Sequence, residues 1–575
     1  MRGTEHFDAA RLMGPRKHRT GPRTAAARGS AATALNRPYR DAALLFAALL
    51  CIGGIVYAPA LAGPFVSDDN IYLPLNPWVQ EINLENVGAM FDPTSSNNLV
   101  TANYAPTQML LHMAQWAVFG RNTVGYHLTN LILHALVGVL FAALLLRSGA
   151  PLPAAGAGAA LLLFHPASAE AVSWISQLKT LLAMSLALGA LLLRNRSRAG
   201  AAALFLLGLF AKPIAAVGLA FLVAEEWVRR RDNATTPVDR ASLLIWGLLF
   251  ATFASIALVA YRAANIGIPP VSDEPWIMAL SCATFGARYL AMAGTTYGVS
   301  AFQEPPIPNG VGDPWVWLAL ALGLALVARV VVAVRERLPE LPYWIWAAAA
   351  FVPVAQILPF RYPMADRYLY FILPGLIGGV WFAAAEQWQR VPTARRRAAA
   401  CCAGAATVVV LAIFAVQSYG RASIWASNAG PTLDAVARWP DGAQAHRERG
   451  RALIYNNMWA EAIPELRVAA ERRVLTLPHI LQDPILAPRM GDPRLQPLIR
   501  DVARLEIELL TREPQTTEYG WIRLAQAQLV HRDFTEAEAS LASARKFDGM
   551  YGSLIEQLET LARGRQALGP SAPLR

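Results

Sequence analysis

The stretch GYHLTNLILHALVGVLFAALLL, residues 125–146, contains no Asp, Glu, Lys or Arg. A helix that crosses the hydrocarbon core of a bilayer needs about 20 such residues, so the stretch predicts a membrane-spanning helix. The whole chain agrees, because 55% of its 575 residues are hydrophobic and only 16% are charged, whereas soluble domains carry roughly a quarter charged residues. We therefore predict an all-α, polytopic membrane protein. Comparable apolar runs occupy 42–62, 243–261, 315–334, 343–360, 368–385 and 398–417.

The net charge of +11 does not indicate a nucleic-acid-binding face, because the basic residues gather between the apolar runs. Such alternation is the positive-inside pattern, which sets the orientation of a membrane protein. It predicts about eleven spans with a cytoplasmic N-terminus, with residues 63–105 and the C-terminal tail on the outer side. Residues 1–40 are predicted to be a disordered, basic cytoplasmic arm. The clusters are Arg194, Arg196 and Arg198; Arg229 to Arg231; Arg335 and Arg337; and Arg395 to Arg397.

Two apolar regions depart from simple spans. Residues 199–227 form two short stretches joined at Lys212 and Pro213, which predicts a broken helical hairpin. Residues 277–300 are apolar but interrupted, which predicts a partly interfacial segment. The four cysteines all lie in apolar segments and are predicted to be small buried residues of the core.

The composition changes after the membrane domain, residues 41–417. A connector, 418–442, leads into a charged, Ala- and Leu-rich region, 443–575, with helical periodicity. Small and apolar residues recur there at the spacing of tetratricopeptide repeats, where paired helices cross closely. An unrelated amphipathic helical domain is the alternative. The first repeat is identified by Gly450, Ala462, Leu466 and Ala469, and the second by Trp521, Leu524, Ala525, Ala537, Leu541 and Ala544.

Ionisable residues near apolar runs are costly, so they are candidates for a functional site. Most of those in this chain fall on the predicted outer side, where carboxylates and cations together suit chemistry on a lipid-phosphate substrate. Each also has a structural interpretation, since an Asp pair can cap a helix and a lysine can extend to the interface. No metal-binding or nucleotide-binding motif is present. The candidates are Asp68, Asp69, His165, Glu170, Lys179, Lys212, Arg288, Arg361, Asp366, Arg367 and Tyr368.

Five blocks of sequence, in order, resemble a known membrane family. They are FVSDDNIYLPLNPWV (65–79), YHLTNLILHALVGVLF (126–141), FHPASAEAVSWISQLKTLLA (164–183), LFAKPIAA (209–216) and MADRYLYFILPGL (364–376). Together with the repeat tail, they resemble bacterial tetratricopeptide-repeat proteins similar to the transmembrane and tetratricopeptide-repeat O-mannosyltransferases. Those enzymes belong to the GT-C class of glycosyltransferases.

The resemblance implies a bacterial inner-membrane enzyme whose active site lies at the outer leaflet. The donor would be a polyprenyl-phosphate sugar, and a hydroxyl of a protein or glycan held by the repeats would be the acceptor. Asp68 and Asp69 match the catalytic acidic position, and we favour Asp68 as the base. The other matches are donor-binding positions: His165 and Glu170 in one block, Asp366, Arg367 and Tyr368 in another, and Lys179 and Lys212 in two more.

The chain also departs from the family pattern. Ala105 precedes Pro106 where a His or Arg is usual, Ser168 replaces a second His, and Leu178 and Thr180 replace the charged pair around Lys179. A different donor or weakened catalysis would explain these changes. The alternative function is therefore a non-catalytic scaffold that recruits envelope partners. A transporter is disfavoured because the polar residues gather at one face rather than at the midplane. The sequence does not decide the sugar, the acceptor, the oligomeric state or a role for a divalent metal.

Overall fold

The protein is described here from a computed structural model covering residues 25–101, 103–230, 238–264, 270–357, 362–512, 515, 517–547 and 551–568. Throughout these residues the regular elements are helices, apart from one isolated antiparallel bridge between Gln303 and Met364. The predicted all-α class is therefore confirmed. Residues 1–24 of the predicted arm lie outside the described residues, and helix α1 begins at Ala25.

Eighteen α-helices precede the tail region. They are α1 Ala25–Val56, α2 Asp68–Tyr72, α3 Pro77–Gln80, α4 Leu84–Phe91, α5 Ser96–Thr101, α6 Pro106–Phe119, α7 Thr123–Arg147, α8 Leu152–Phe164, α9 Ser168–Ser173, α10 Leu178–Leu193, α11 Arg198–Ala211, α12 Val217–Arg229, α13 Arg240–Ala264, α14 Pro275–Thr295, α15 Pro314–Glu336, α16 Leu341–Phe351, α17 Asp366–Trp388 and α18 Thr393–Ile424. Short 3₁₀ helices cover Ala58–Ala60, Ile175–Gln177, Pro213–Ala216 and Val352–Val354.

Seven helical segments within the described residues are long and apolar enough to cross a membrane, so the protein is a multi-pass membrane protein. Three shorter apolar helices, Leu152–Phe164, Arg198–Ala211 and Leu341–Val354, accompany them. The predicted total of about eleven spans, and the orientation, stay predictions. The seven are Thr123–Arg147, Ile175–Leu193, Arg240–Ala263, Pro275–Thr295, Pro314–Glu336, Asp366–Trp388 and Thr393–Ile424.

Burial separates interior helices from peripheral ones. In Ile175–Leu193, 72% of the apolar window is buried, whereas the corresponding values are 6% for Pro314–Glu336 and 0% for Thr393–Ile424. Apolar side chains on the latter helices therefore face outward, where lipid would solvate them. The same arrangement corrects the prediction for the cysteines: Cys51, Cys401 and Cys402 are exposed thiols on the outer surface of the bundle, and only Cys282 is partly buried.

The predicted broken hairpin is present. Helix α11 ends at Ala211, and α12 begins at Val217 after a 3₁₀ turn that Pro213 opens. Proline has no backbone N–H and disfavours helix for the residue before it, and Lys212 is indeed extended, with φ −161° and ψ 129°. The break turns the Lys212 side chain out of a helical register and toward α10.

Helix α14 does not run from one end of the bundle to the other, although its length and composition suit a span. Its start lies against the loop that leads into α15, through Trp276 and Gly310. Near its end, the carbonyl of Ala293 lies 3.2 Å from His165 Nε2, at the end of α8. Both contacts are at the same end of the bundle, the end that also contains Asp68. This placement agrees with the interrupted apolar pattern of residues 277–300.

The tail is a series of paired helices. In the first predicted repeat, a Cβ added to Gly450 would lie 2.6 Å from the Leu466 side chain, so glycine is required where α20 and α21 cross. Ala462 and Ala537 are fully buried at the corresponding positions of the two pairs. The predicted helical hairpins are thus observed, and their assignment to the tetratricopeptide class stays a prediction. The tail helices are α19 Gly430–Arg438, α20 Ala443–Tyr455, α21 Trp459–Glu471, α22 Leu477–Gln482, α23 Gln496–Leu510, α24 Glu518–His531, α25 Phe534–Ala544 and α26 Gly552–Leu568, with a 3₁₀ turn at Ala487–Arg489.

Polar contacts dock the start of the tail onto the membrane domain. The Glu304 carboxylate accepts hydrogen bonds from the backbone N–H groups of Ala443, at 2.6 Å, and Gln444, at 3.1 Å. These are free N–H groups of the first turn of α20, where a negative charge is also favoured by the helix dipole. The Gln444 amide donates in turn to the Tyr362 hydroxyl at 2.8 Å. The tail is therefore held at a defined position beside the end of the bundle that contains Asp68.

Candidate active site

The Asp pair opens the short helix α2, directly after a strained residue. Ser67 has φ 52° and ψ −120°. Residues other than glycine rarely adopt this backbone conformation, which costs on the order of 1–3 kcal/mol. Asp69, 1% exposed, points inward. Its Oδ2 accepts from Val66 N–H at 2.9 Å, and its Oδ1 accepts from Ser176 N–H at 2.7 Å and from the Ser176 hydroxyl. Asp69 thus ties the loop after α1 to the 3₁₀ turn that precedes α10.

Burial raises the pKa of Asp69 to about 7, against the lowering effect of its hydrogen bonds from Ser176 and Val66. Asp68 lies beside it but is only half-buried, and its carboxylate accepts one long hydrogen bond, at 3.4 Å, from the Ser67 hydroxyl. Two adjacent carboxylates therefore occupy different environments. Asp69 is a buried structural acceptor, whereas the Asp68 carboxylate is accessible to a substrate.

Two lysines bring positive charge to the same place. The ammonium of Lys179, in the first turn of α10, donates to the Tyr72 hydroxyl at 3.1 Å and lies 5.0 Å from the centre of the Tyr72 ring. Lys212, at the hairpin break, donates to the Thr180 hydroxyl at 2.8 Å. The Asp68 carboxylate lies close enough to attract the Lys179 ammonium electrostatically, and Lys179 lies close enough to repel the Lys212 ammonium. An ammonium has three N–H donors, so each of these single hydrogen bonds leaves capacity for an oxygen ligand.

An arginine completes the cluster. Arg367, at the start of α17, donates from its backbone N–H to Glu170 Oε2 at 2.7 Å and from its guanidinium to Glu170 Oε1. The guanidinium also lies 5.4 Å from the centre of the Trp174 ring, which stacks on Trp425. Asp68 lies within electrostatic range of this guanidinium. Glu170 and Trp174 therefore fix a cation that faces the accessible carboxylate.

The predicted residues do not all join this cluster. His165 is 2% exposed, and its ring nitrogens contact the backbone, with Nδ1 accepting from Ala167 N–H at 3.2 Å and Nε2 facing the Ala293 carbonyl. Burial lowers its pKa to about 4, so the ring is neutral and fits a structural role. Arg288 is directed away, with its guanidinium 4.2 Å from the centre of the Trp315 ring.

Asp366 and Tyr368 flank Arg367 in the sequence but make different contacts. Asp366 is fully buried, accepts from Ser300 N–H at 2.9 Å and lies 3.5 Å from the Arg421 guanidinium, so it supports the backbone rather than faces a substrate. Tyr368 is half-buried, and its ring lies 4.8 Å from the Arg367 guanidinium. Arg361 lies outside the described residues.

Several residues of the site were missed by the sequence reasoning. Tyr72 and Thr180 orient the two lysines, Trp174 supports Arg367, and Ser176 holds Asp69. Thr180 appeared only as a departure from the family pattern, yet it positions Lys212. All four are neutral residues inside or next to the recognised blocks. A charge-based search passes over them, because only their contacts across the fold show what they do.

The arrangement places one accessible carboxylate within electrostatic range of Lys179 and Arg367, with Lys212 within range of these two cations, at one end of a helical membrane bundle. A carboxylate can take a proton from a hydroxyl, and ammonium and guanidinium groups stabilise a phosphate. Within the described residues, no group of three or more His, Cys, Asp or Glu side chains is arranged to hold a metal ion. The cluster therefore suits group transfer from a phosphate ester to a hydroxyl.

Comparisons with known proteins add little to this geometry. No family model matches the sequence, and no curated protein matches it. Among solved structures, the chain has a likeness to the crystal structure of the Archaeoglobus fulgidus oligosaccharyltransferase tethered with an acceptor peptide. The sequence identity is 15% and the TM-score 0.35, over 75% of this chain and 59% of that chain. At such values we draw neither fold nor function from the likeness.

Proposed function

We propose that the protein is a membrane glycosyltransferase of the GT-C type, which transfers a sugar from a polyprenyl-phosphate donor to a hydroxyl of a protein or glycan. The observation that carries the proposal is the half-buried Asp68 carboxylate within electrostatic range of Lys179 and Arg367. The five sequence blocks that resemble the O-mannosyltransferase family support it, since four of them contribute a residue to this cluster.

In the proposed reaction, Asp68 takes the proton of the acceptor hydroxyl while that oxygen forms a bond to the anomeric carbon of the sugar. The bond between the anomeric carbon and the phosphate oxygen breaks, and its electron pair leaves with the phosphate. The products are the glycoside, polyprenyl phosphate and a protonated Asp68, which returns its proton to water. General-base assistance of this kind contributes typically about 10²–10⁴-fold in rate.

The three cations are assigned to the phosphate. The leaving phosphate gains negative charge as its bond to the sugar breaks, so cations near it stabilise the transition state more than the ground state. Lys179 and Lys212 each use one N–H donor on Tyr72 and Thr180, respectively. Their remaining N–H donors would bind phosphate oxygens. Arg367 is already paired with Glu170, so its part is to hold positive potential at the site rather than to move.

The tail is assigned to the acceptor. Because Glu304 and Tyr362 dock the start of the tail beside the cluster, an acceptor bound to the paired helices would be presented near Asp68. Holding two reactants in a productive geometry lowers the activation barrier, because it converts a bimolecular step into an effectively unimolecular one. The polar cluster at one end of the bundle disfavours a transporter, whose site would lie near the midplane.

The test compares glycosylation of envelope proteins in cells that produce wild type, Asp68→Asn or Glu85→Gln. Glu85 is an exposed carboxylate of the same predicted outer loop, in the first turn of α4, and serves as the matched control. We expect Asp68→Asn to abolish glycosylation and Glu85→Gln to leave it unchanged, at equal membrane levels. If Asp68→Asn glycosylated normally, the enzyme proposal would be wrong, and the scaffold alternative would take its place.

A further inference from the structure

A cavity of about 370 Å³ lies at the end of the bundle opposite Asp68. Helix α12 joins the two ends, because it follows the site residue Lys212 and reaches the cavity at Trp227 and Arg230. Its 13 residues span about 20 Å at 1.5 Å per residue. The cavity is therefore separate from the candidate active site. Its volume falls in the range of ligand sites, roughly 300–1,000 Å³.

The walls of the cavity are apolar. They are formed by four helices, with Ala224 from α12, Leu243 from α13, Val334 from α15, and Leu341 and Ile345 from α16. Such a space is poorly suited to water or to a polar metabolite.

The one carboxylate in the lining is neutralised. Glu226 Oε1 accepts from Arg194 at 2.8 Å, and Oε2 accepts from the backbone N–H of Asp239 at 3.2 Å. The Arg194 guanidinium is fully buried and also bonds Glu225 at 2.7 Å. Arg147 and Arg229 pair with Glu225 as well, so the cations of this network outnumber the two glutamates and no net negative charge remains at the cavity.

The rim, in contrast, is cationic and aromatic. Trp227 is 41% exposed at the mouth, and the Arg337 guanidinium lies 4.8 Å from the centre of its ring. Arg337 also donates to the Arg230 carbonyl at 2.9 Å, which holds the two arginines together. Arg230 is exposed, and within the described residues no carboxylate pairs with its guanidinium. Basic pockets between membrane helices, with tryptophan at headgroup level, bind anionic lipids.

We propose that this cavity binds an anionic glycerophospholipid of the leaflet opposite the candidate active site. One acyl chain would occupy the apolar cavity between α12, α13, α15 and α16. The phosphate would lie on Arg230 and Arg337, whose planar guanidinium groups can each make two parallel hydrogen bonds to phosphate oxygens. A zwitterionic lipid would offer the same chain, but its own ammonium would oppose the two arginines.

The test measures lipid binding to the purified full-length protein by native mass spectrometry. Dioleoyl phosphatidylglycerol and dioleoyl phosphatidylcholine are titrated against wild type, Arg230→Gln, Val223→Phe and Arg397→Gln. Val223 lines the cavity and is 53% exposed, so phenylalanine can fill the space without disturbing the core. Arg397 is an exposed arginine in the first turns of α18 that does not line the cavity, and it serves as the matched control.

We expect wild type and Arg397→Gln to retain phosphatidylglycerol in preference to phosphatidylcholine. Arg230→Gln should weaken phosphatidylglycerol binding about fivefold, as expected for one basic residue near an anionic lipid, and Val223→Phe should remove the bound chain. Equal retention of both lipids by wild type would overturn the proposal. So would unchanged binding in both cavity variants, or an equal loss in Arg397→Gln. The outcome does not depend on glycosyltransferase activity.

Discussion

Replacing Asp69 by asparagine separates the structural carboxylate of the pair from the accessible one. Asp69 accepts from Val66 N–H on one oxygen and from Ser176 on the other. An asparagine has only one oxygen, so whichever way the amide turns, its NH₂ group faces a buried N–H donor. A buried donor without an acceptor costs about 1–3 kcal/mol. Two such donors are created here: the backbone N–H that loses its acceptor, and the asparagine N–H that faces it. At a pH above about 7, where Asp69 is a carboxylate, we therefore expect Asp69→Asn to lower the free energy of unfolding by about 2–6 kcal/mol.

The same substitution removes a pH dependence. Asp69 has a pKa of about 7 in the folded protein, above the value of 3.8 for an exposed aspartate. Between these values the folded protein holds a proton that the unfolded chain has released, so stability falls as the pH rises from about 4 to about 7. Across that window the fall is on the order of 1 kcal/mol per pH unit. Asp69→Asn cannot titrate and should lack this component.

The assay is thermal unfolding of the full-length protein in detergent, followed by tryptophan fluorescence at several pH values. Asp68→Asn is the matched control, because its carboxylate is half-buried and makes one long hydrogen bond. Substitutions at such positions usually change stability by less than about 0.5 kcal/mol. If Asp69→Asn melted as wild type does while Asp68→Asn melted lower, the division of roles between the two carboxylates would be refuted.

Three further predictions test the orientation, the tail and its docking. Alkaline phosphatase fused after residue 430 should be active and after residue 232 inactive, and the reverse pattern would place the candidate active site on the wrong side of the membrane. Gly450→Ala should destabilise the protein by about 1–3 kcal/mol through overpacking. The control Gly404→Ala should not, because nothing lies within 4 Å of the new Cβ. Equal melting temperatures of the two variants would contradict the tail packing. Arg421→Gln should lower stability by about 3–5 kcal/mol, because the carboxylates of Asp366, at 3.5 Å, and Asp434, at 2.6 Å, lose the guanidinium that they pair with; an unchanged melting temperature would refute this ion network.

Much of the candidate site could be predicted because its residues violate the rule that membrane segments avoid charge. Lys179, Glu170 and Arg367 were identified in this way, and the structure brings all three to one place with Asp68. The same rule also selected His165 and Arg288, which the structure places in other surroundings. A charge at membrane depth shows that something stabilises it, but the sequence does not show whether the partner is a substrate, a backbone carbonyl or an aromatic ring.

The burial of residues within apolar helices could not be predicted equally well. In a soluble protein an apolar cysteine such as Cys401 would be expected inside, whereas in a bilayer an apolar side chain is equally stable against lipid or protein. Composition therefore fails to distinguish α10, which is interior, from α18, which is peripheral. The position of α14 across the end of the bundle likewise depends on contacts with residues far away in sequence.

The sequence by itself determined the features that depend on local free energies. Long apolar runs must form helices in a bilayer, because every backbone N–H and C=O needs a partner there, and proline after Lys212 must break one. Only the tertiary structure decided that Asp69 is buried while its neighbour Asp68 is accessible, since that difference comes from Ser176, more than a hundred residues away. Two chemically identical carboxylates acquire different properties only when the fold buries one of them and surrounds the other with cations.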